Sequence, residues 1–316
     1  MANGTTVKEF VLLGLTNHHN LEILIFLLLF STYLLTIMGN FVIIAITLVD
    51  QQLYTPMYFF LRHVAFVEIG YTTTIIPKAL VNIATGHKII SRYGCFTQTY
   101  LYFSLGTTEF FLLAVMSVDR YVAICNPLRY STIMNGQICP LLVLSCWVAG
   151  FFLILGPAAA LFQMSFCGSN IINHFFCDNG PLLKLVCADT SLLELMSFLS
   201  AILSLIGTLA VNLVSYAHII SNVMRIPSTG GRQKAFSTCT SHLTVVSITY
   251  GSCIFLYVKL KGTNRLDFSK SVAVLNTVMA PLLIPFVYCL RNKQVKDALM
   301  RAITAANTFH HLKEVL

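Results

Sequence analysis

Residues 115–130 read VMSVDRYVAICNPLRY and end a long apolar segment with an adjacent acid and base, Asp119 and Arg120. Full charges at the edge of a membrane-compatible segment are costly unless they reach headgroups or partners inside a bundle. Because adjacent residues of a helix point in different directions, each charge is free to meet a neighbouring helix, which suits a contact with two states. Simple snorkelling of both side chains to the headgroups explains the charges equally well.

The rest of the chain is as apolar as the segment before this motif. Of 316 residues, 56% are hydrophobic and 10% charged, against roughly 25% charged in soluble domains. The net charge of +8 comes without a basic run, which indicates anionic lipid headgroups rather than nucleic acid. Seven segments reach the length of about 20 residues that a spanning helix needs. They are residues 21–49, 56–80, 93–124, 139–162, 192–224, 236–258 and 271–290.

These segments predict an all-α membrane protein, a seven-transmembrane helix bundle over residues 21–291. Residues 1–20 are expected to be an extracellular N-terminus, with a glycosylation sequon at Asn3. Residues 292–316 are expected to form a short cytoplasmic amphipathic helix and tail, because Val295, Leu299 and Ile303 repeat at helical spacing. A solvated tail is the alternative. The protein is expected in the plasma membrane as a multi-pass chain.

Four cysteines, Cys95, Cys167, Cys177 and Cys187, fall in the loops assigned to the outside. An even set in an oxidising compartment predicts disulfides, and spacing leaves all three pairings open. A zinc site is not expected, because the pattern lacks paired cysteines near histidines.

Two acids lie near the middle of predicted spans, Glu68 in the second and Glu109 in the third. Two carboxylates at that depth would repel each other without a counterion, which suggests a cation or proton site. A pair of neutral, hydrogen-bonded carboxyls is the alternative. His242, near the inner end of the sixth span, is interpreted as a packed residue rather than a metal ligand.

Six motifs in order along the chain resemble vertebrate olfactory receptors, within the rhodopsin-like G-protein-coupled receptors. They are GN at 39–40, PMYFFL at 56–61, DRYVAICNPLRY at 119–130, SY at 215–216, KAFSTCTSHL at 234–243 and PFVYCLRNKQVK at 285–296. The resemblance implies disulfides Cys95–Cys177 and Cys167–Cys187. It also implies a switch that exposes a cavity for a heterotrimeric G protein. The residues it assigns to that switch are Asp119, Arg120, Tyr121, Tyr216, His242 and Tyr288.

The resemblance further implies a ligand site in the outer half of the bundle. Its predicted residues are Tyr102, Phe103, Gly106, Thr107, Ser197, Ser200, Ser204, Tyr250, Cys253, Ile254, Tyr257 and Thr277. Hydroxyls among aromatic and aliphatic walls suit a small volatile odorant with one polar group. The family usually has aspartate at Glu68, asparagine at Ile284 and MAYDRY at residues 116–121. The changes at Glu68 and Ile284 bear on the possible sodium site of Glu68 and Glu109, where Na⁺ would act as an allosteric ion.

The function expected from this resemblance is that of an odorant receptor. The receptor would activate a stimulatory G protein and raise cyclic AMP, without being an enzyme and without a cofactor other than the possible Na⁺. A transporter or channel is the alternative, although the sequence lacks a duplicated half and paired broken helices. An intramembrane enzyme is a third option, although the sequence lacks a zinc-protease motif and a nucleophile elbow.

Overall fold

The backbone of the protein is that of a computed structural model, which describes residues 7–16, 18–166, 169–257 and 265–315. In hydrocarbon, water cannot form hydrogen bonds with the backbone N–H and C=O groups of an apolar segment. The segment therefore forms a helix, in which these groups bond to one another. The long helices are α1 (His19–Val49), α2 (Pro56–Thr85), α3 (Arg92–Cys125), α4 (Ile138–Gln163), α5 (Ser191–Met224), α6 (Thr229–Tyr257), α7 (Arg265–Val274, Leu275–Met279 and Ala280–Arg291) and α8 (Lys293–Val315). Short helices at Tyr130–Ile133 and Asn179–Leu183 lie in the connections before α4 and α5. The seven predicted spans are helical throughout their described residues.

Within the described residues, six helices are long and apolar enough to cross a membrane by length and composition: α1 to α5 and α7. The remaining helix of the bundle, α6, is richer in serine and threonine. It packs against α3, α5 and α7 and thereby completes the set of seven. Many large apolar side chains on the outward faces are exposed, Phe152 and Leu27 among them, as expected where lipid is the solvent.

A small sheet, which the sequence did not predict, covers one end of the bundle. β1 (Glu9–Leu12) lies between β2 (Ile89–Ser91), to which it is antiparallel, and β3 (Ile171–Ile172), to which it is parallel. Phe10 and Leu12 alternate inward along β1 and are fully buried. Residues 9–12 therefore form a strand over what we call the sheet end of the bundle.

The opposite end, which carries α8, is called the tail end. α8 has 23 residues, so it is longer than the short helix predicted. Val295 and Ala298 are buried against the bundle, whereas Ile303 is about half exposed and so is available to the leaflet on which the helix was predicted to lie. Arg301 forms a two-nitrogen contact with Asp50 in the turn between α1 and α2, at 3.0 and 2.7 Å. α8 is thus tied to the first turn of the bundle.

Two spanning helices contain a turn of π-helix, at Ile202–Gly207 in α5 and at Leu275–Met279 in α7. Such a turn accommodates an extra residue and rotates the faces on either side of it relative to each other. Both turns lie at the depth of a cavity inside the bundle, where Ser204 and Asn276 line its wall. They therefore decide which side chains of α5 and α7 face the interior.

Candidate functional site

A cavity of about 270 Å³ lies inside the bundle below the sheet end. Its walls come from α2, α3, α4, α5, α6 and α7, with Asn179 above. Aromatic rings of Tyr71, Tyr102, Phe103 and Phe110 form much of the lining, and the remainder is small aliphatic and hydroxyl side chains. An enclosed, mainly apolar space with a few convergent polar groups is the usual form of a small-molecule site, and this volume suits a small guest.

Eight of the twelve predicted ligand residues line this cavity. They are Tyr102, Phe103, Gly106, Thr107, Ser197, Ser200, Ser204 and Cys253. The structure places them together, and their contact with a ligand stays a prediction. The three serines share one face of α5, as their spacing indicated.

Three of the other predicted residues lie elsewhere, and the side chain of Tyr257 lies outside the described residues. Ile254 is 43% exposed on the outward face of α6, because it is one residue, and so about 100°, from the cavity-lining Cys253. The buried hydroxyl of Thr277 donates to Ala273 O at 2.8 Å on its own helix. Tyr250 packs beside the cavity and donates to Thr208 Oγ1 at 2.7 Å.

Several polar residues of the cavity were not predicted: Asn179, Thr249, Ser252 and Asn276. Asn276 is displaced from the predicted Thr277 by one position within the π-helical turn of α7. Asn179 follows Cys177 by two residues, and the implied pairing of Cys177 with Cys95 at the start of α3 was the available signal that Asn179 lies near the bundle. The side-chain oxygen of Asn179 and the hydroxyl of Ser197 are buried and form no hydrogen bond with the described residues.

The loop between α4 and α5 is held over the cavity by covalent and hydrogen bonds. The disulfide Cys95–Cys177 confirms the pairing implied by the resemblance. Cys177 N donates to Gln98 Oε1 at 3.0 Å, and Thr99 Oγ1 donates to Cys177 O at 2.8 Å. Cys187 is also disulfide-bonded. Cys167 lies outside the described residues, as does Asn3, so the Cys167–Cys187 pairing and the glycosylation stay predictions.

Aromatic side chains complete this covering loop. Phe176 packs on Tyr102 with ring centres 5.0 Å apart, and His174 packs on Phe176 at 4.6 Å. Gly14 N, just after β1, donates to His174 O at 3.1 Å, so the N-terminal segment fastens the loop from above. Burial, reinforced by the charge of Lys270, lowers the pKa of His174 to about 4.

The floor of the cavity contains the two carboxyl groups predicted at mid-membrane depth. Glu68 and Glu109 are buried, and both line the cavity. Thr249 Oγ1 donates to Glu109 Oε1 at 3.2 Å, whereas among the described residues no N–H or hydroxyl group donates to Glu68. Ile284, buried in the apolar core, supplies no amide here. Such a pair is compatible with one shared proton or one small cation.

Beneath this floor, the switch residues form a buried cluster at the tail end. Arg120 Nε donates to Asp119 Oδ2 at 2.9 Å, and Tyr130 Oη donates to Asp119 Oδ1 at 2.8 Å. The two charges therefore contact each other in this arrangement, and Asp119 also contacts Tyr130 in the segment that follows α3; an exchange of partners in a second state stays a prediction. The side chain of Arg120 folds back onto Asp119, the preceding residue. A buried carboxylate that accepts hydrogen bonds from two donors costs less free energy than a buried carboxylate without partners.

α5 and α6 are joined in the same cluster by Tyr216 and His242. Tyr216 Oη lies 2.6 Å from His242 Nδ1, and the two rings stack with centres 5.8 Å apart. Tyr288 is fully buried with its hydroxyl unpartnered among the described residues. Tyr121 is half-buried, with its ring 5.7 Å from that of His218. The cluster thus joins α3, α5, α6 and α7 at one end of the bundle.

Comparisons with known proteins bear on the whole chain. A family model described as olfactory receptor matches residues 29–306. Olfactory receptor 6E1 of Mus musculus is 58% identical over 98% of this chain and 99% of its own. Olfactory receptor 6C74 of Homo sapiens is 53% identical over 98% of this chain and 99% of its own. The crystal structure of squid rhodopsin covers 90% of this chain and 81% of its own with a TM-score of 0.74, and at 14% identity it supports the fold.

Proposed function

Because this chain belongs to the olfactory receptor family, whose members are receptors and not enzymes, we propose that it binds a small volatile molecule in the 270 Å³ cavity. It is a multi-pass plasma-membrane protein with the rhodopsin-like seven-helix fold. The sheet end is proposed to face the outside, because disulfides persist in oxidising compartments.

The observation that carries the proposal is the position of the cavity between the fastened loop and the buried switch cluster. A guest enclosed there contacts α3, α5, α6 and α7 at once. Its walls are mainly aromatic and aliphatic, while the unpartnered Ser197 hydroxyl and Asn179 oxygen provide hydrogen bonds for one polar group. This composition favours a volatile ligand of one polar group over a highly charged one.

A ligand changes the state of such a bundle only through differential affinity for two arrangements. We propose that the ligand favours an arrangement in which α6 moves outward and the hydrogen bond between Tyr216 and His242 is broken. Arg120 would then exchange Asp119 for the α subunit of a stimulatory G protein, and cyclic AMP would rise. The chain itself makes and breaks no covalent bond in this process.

The paired carboxyls under the cavity are proposed to take up a sodium ion or to share a proton in the ligand-free state. Glu68 would contribute the oxygens that receive no other donor, and Glu109 is oriented by Thr249. A cation there neutralises two acids that otherwise repel at membrane depth. Replacing Glu68 with glutamine should abolish any dependence of the ligand-free signal on external sodium.

The decisive experiment is an odorant screen with a cyclic AMP reporter, followed by two matched variants. Cys253→Trp fills the cavity and should eliminate the response to any ligand found. Ile254→Trp puts the same ring on the lipid-facing surface one residue further on and should preserve the response. Equal responses from both variants would contradict the assignment of the cavity.

The coupling step is tested separately with Arg120→Ala, which should abolish the cyclic AMP response while ligand binding persists. A transporter or channel predicts the opposite pattern: ligand-dependent current or uptake that survives Arg120→Ala in cells lacking the G protein. That result would replace the receptor mechanism, although family membership does not favour it.

A further inference from the structure

A second groove, of about 480 Å³, lies at the tail end, away from the ligand cavity. It is bounded by the last turn of α1, the first turns of α2 and α4, and the connections that precede these two helices. Leu53, Phe59 and Met134 give it apolar walls, while Leu48 and Tyr54 at its edge are about half or more exposed. The groove is therefore accessible from the lipid-covered surface.

One full charge lines this apolar groove, the guanidinium group of Arg62, six residues into α2. Arg62 Nη2 donates to Thr47 O at 2.5 Å and Nε lies 3.3 Å from Thr47 Oγ1, which fixes the direction of the side chain. Among the described residues, no carboxylate pairs with Arg62 and none lines the groove. Arginines near membrane depth pair with acids or backbone carbonyls. Arg62 has the carbonyl of Thr47 on one side, and its Nη1 forms no hydrogen bond with the described residues.

Two helix N-termini add to the positive potential of the groove. Thr55 and Pro56 at the start of α2 line it, as do Asn135 and Gly136 just before α4. A helix N-terminus carries a partial positive charge and exposed N–H groups. The carbonyl of Thr55 accepts from Tyr58 N and Phe59 N, and Asn135 Oδ1 accepts from Gln137 N and Ile138 N. These termini therefore contribute their partial positive charge rather than free N–H groups.

We propose that this groove binds one anionic phospholipid, with its phosphate against Arg62 and the start of α2 and an acyl chain along the apolar wall. Charge complementarity favours an anionic headgroup over a zwitterionic one, and the apolar walls favour a lipid over free phosphate. A sterol would cover the walls but leave the charge of Arg62 unpaired. The proposal requires only that the bundle lies in a bilayer, so it is independent of the odorant and of G-protein coupling.

The test uses the full-length protein in nanodiscs of phosphatidylcholine and phosphatidylglycerol, with retained lipids counted by native mass spectrometry. The wild type should retain one phosphatidylglycerol in preference to phosphatidylcholine. Arg62→Gln should reduce that preference about tenfold, the effect of losing a hydrogen bond to a charged group. Arg62→Lys should keep most of it. Arg225→Gln removes the same charge from an exposed position outside the groove and should change nothing.

A second variant leaves Arg62 in place and fills the groove instead. A Cβ at Gly136 would meet no atom within 4 Å, so Gly136→Trp can be accommodated and should displace the lipid even if Arg62→Gln fails to fold. Thermal unfolding in the same nanodiscs checks the fold of each variant. Equal retention of both phospholipids by the wild type, or an equal loss in Arg225→Gln, would overturn the proposal. Retention of added cholesterol regardless of Arg62→Gln would also overturn it, because the occupant would then be neutral.

Discussion

The hydrogen bond between Tyr216 on α5 and His242 on α6 is expected to restrain the ligand-free receptor. Its two atoms are 2.6 Å apart, and both residues are buried. Tyr216→Phe removes the hydroxyl while keeping the ring that stacks on His242. The lost hydrogen bond destabilises only the closed arrangement. When α6 moves outward the two rings separate, and the imidazole of His242 can then form hydrogen bonds with water.

The magnitude follows from the buried geometry of this contact. A hydrogen bond of this kind contributes about 1 kcal/mol net, and an imidazole nitrogen left buried without a partner raises the loss to about 2 kcal/mol. A change of about 1 to 2 kcal/mol shifts a two-state equilibrium by a factor of about 5 to 30. If the ligand-free bundle is mainly closed, the ligand-independent signal should rise by the same factor.

The assay is the ligand-free cyclic AMP level in cells that display equal amounts of receptor at the surface. Tyr33→Phe is the matched control, because it deletes a hydroxyl that bridges α1 and α2 through Thr73 Oγ1 at 3.1 Å. Only Tyr216→Phe should raise the signal. An unchanged signal with a normal ligand response would refute the restraint. A lower signal would show that the contact belongs to the open arrangement.

The remaining predictions concern the two ends of the bundle. Cys95→Ser should free the loop above the cavity and abolish ligand binding, measured by displacement of a labelled ligand on surface-expressed receptor; unaltered binding would show that noncovalent contacts suffice. Acidification from pH 6.5 to 4 should destabilise this loop through His174. Burial lowers the pKa of His174 to about 4, so in this pH range the proton binds the unfolded loop but not the folded one. Burial raises the pKa of Asp178 to about 6, so the same acidification strengthens the loop there. His174→Phe should leave only this second effect, seen as greater hydrogen-exchange protection at low pH after correction for the intrinsic exchange rate. Arg301→Gln should accelerate hydrogen exchange in α8 at neutral pH, because it removes the contact between α8 and Asp50. The hydrogen bond from Arg301 lowers the pKa of Asp50 and keeps that carboxylate charged. The exchange rate of the wild type should therefore approach that of the variant only as the pH falls below the ordinary range for aspartate.

The seven spans follow from the sequence alone, because hydrocarbon cannot satisfy a bare backbone and any apolar run of sufficient length must become a helix. The positions of the charges also follow in part: Glu68 and Glu109 were expected inside the bundle, and both are buried and line the cavity. The resemblance to olfactory receptors supplied the Cys95–Cys177 pairing, which spacing had left open. Each of these inferences depends on chemical character along the chain and not on the rotation of a helix.

Rotation and long-range contact are what the tertiary structure alone decided. Cys253 lines the cavity whereas its neighbour Ile254 faces lipid, and a π-helical turn brings Asn276 rather than Thr277 to the wall. Asn179 reaches the cavity because a disulfide holds its loop there. Hydropathy determines which segments enter the bilayer, because the free energy of transfer from water to hydrocarbon depends on the local amino-acid composition. Whether a residue faces the cavity or the lipid is decided by how the seven helices pack. In a span that is apolar on every face, the local sequence does not encode the rotation of the helix.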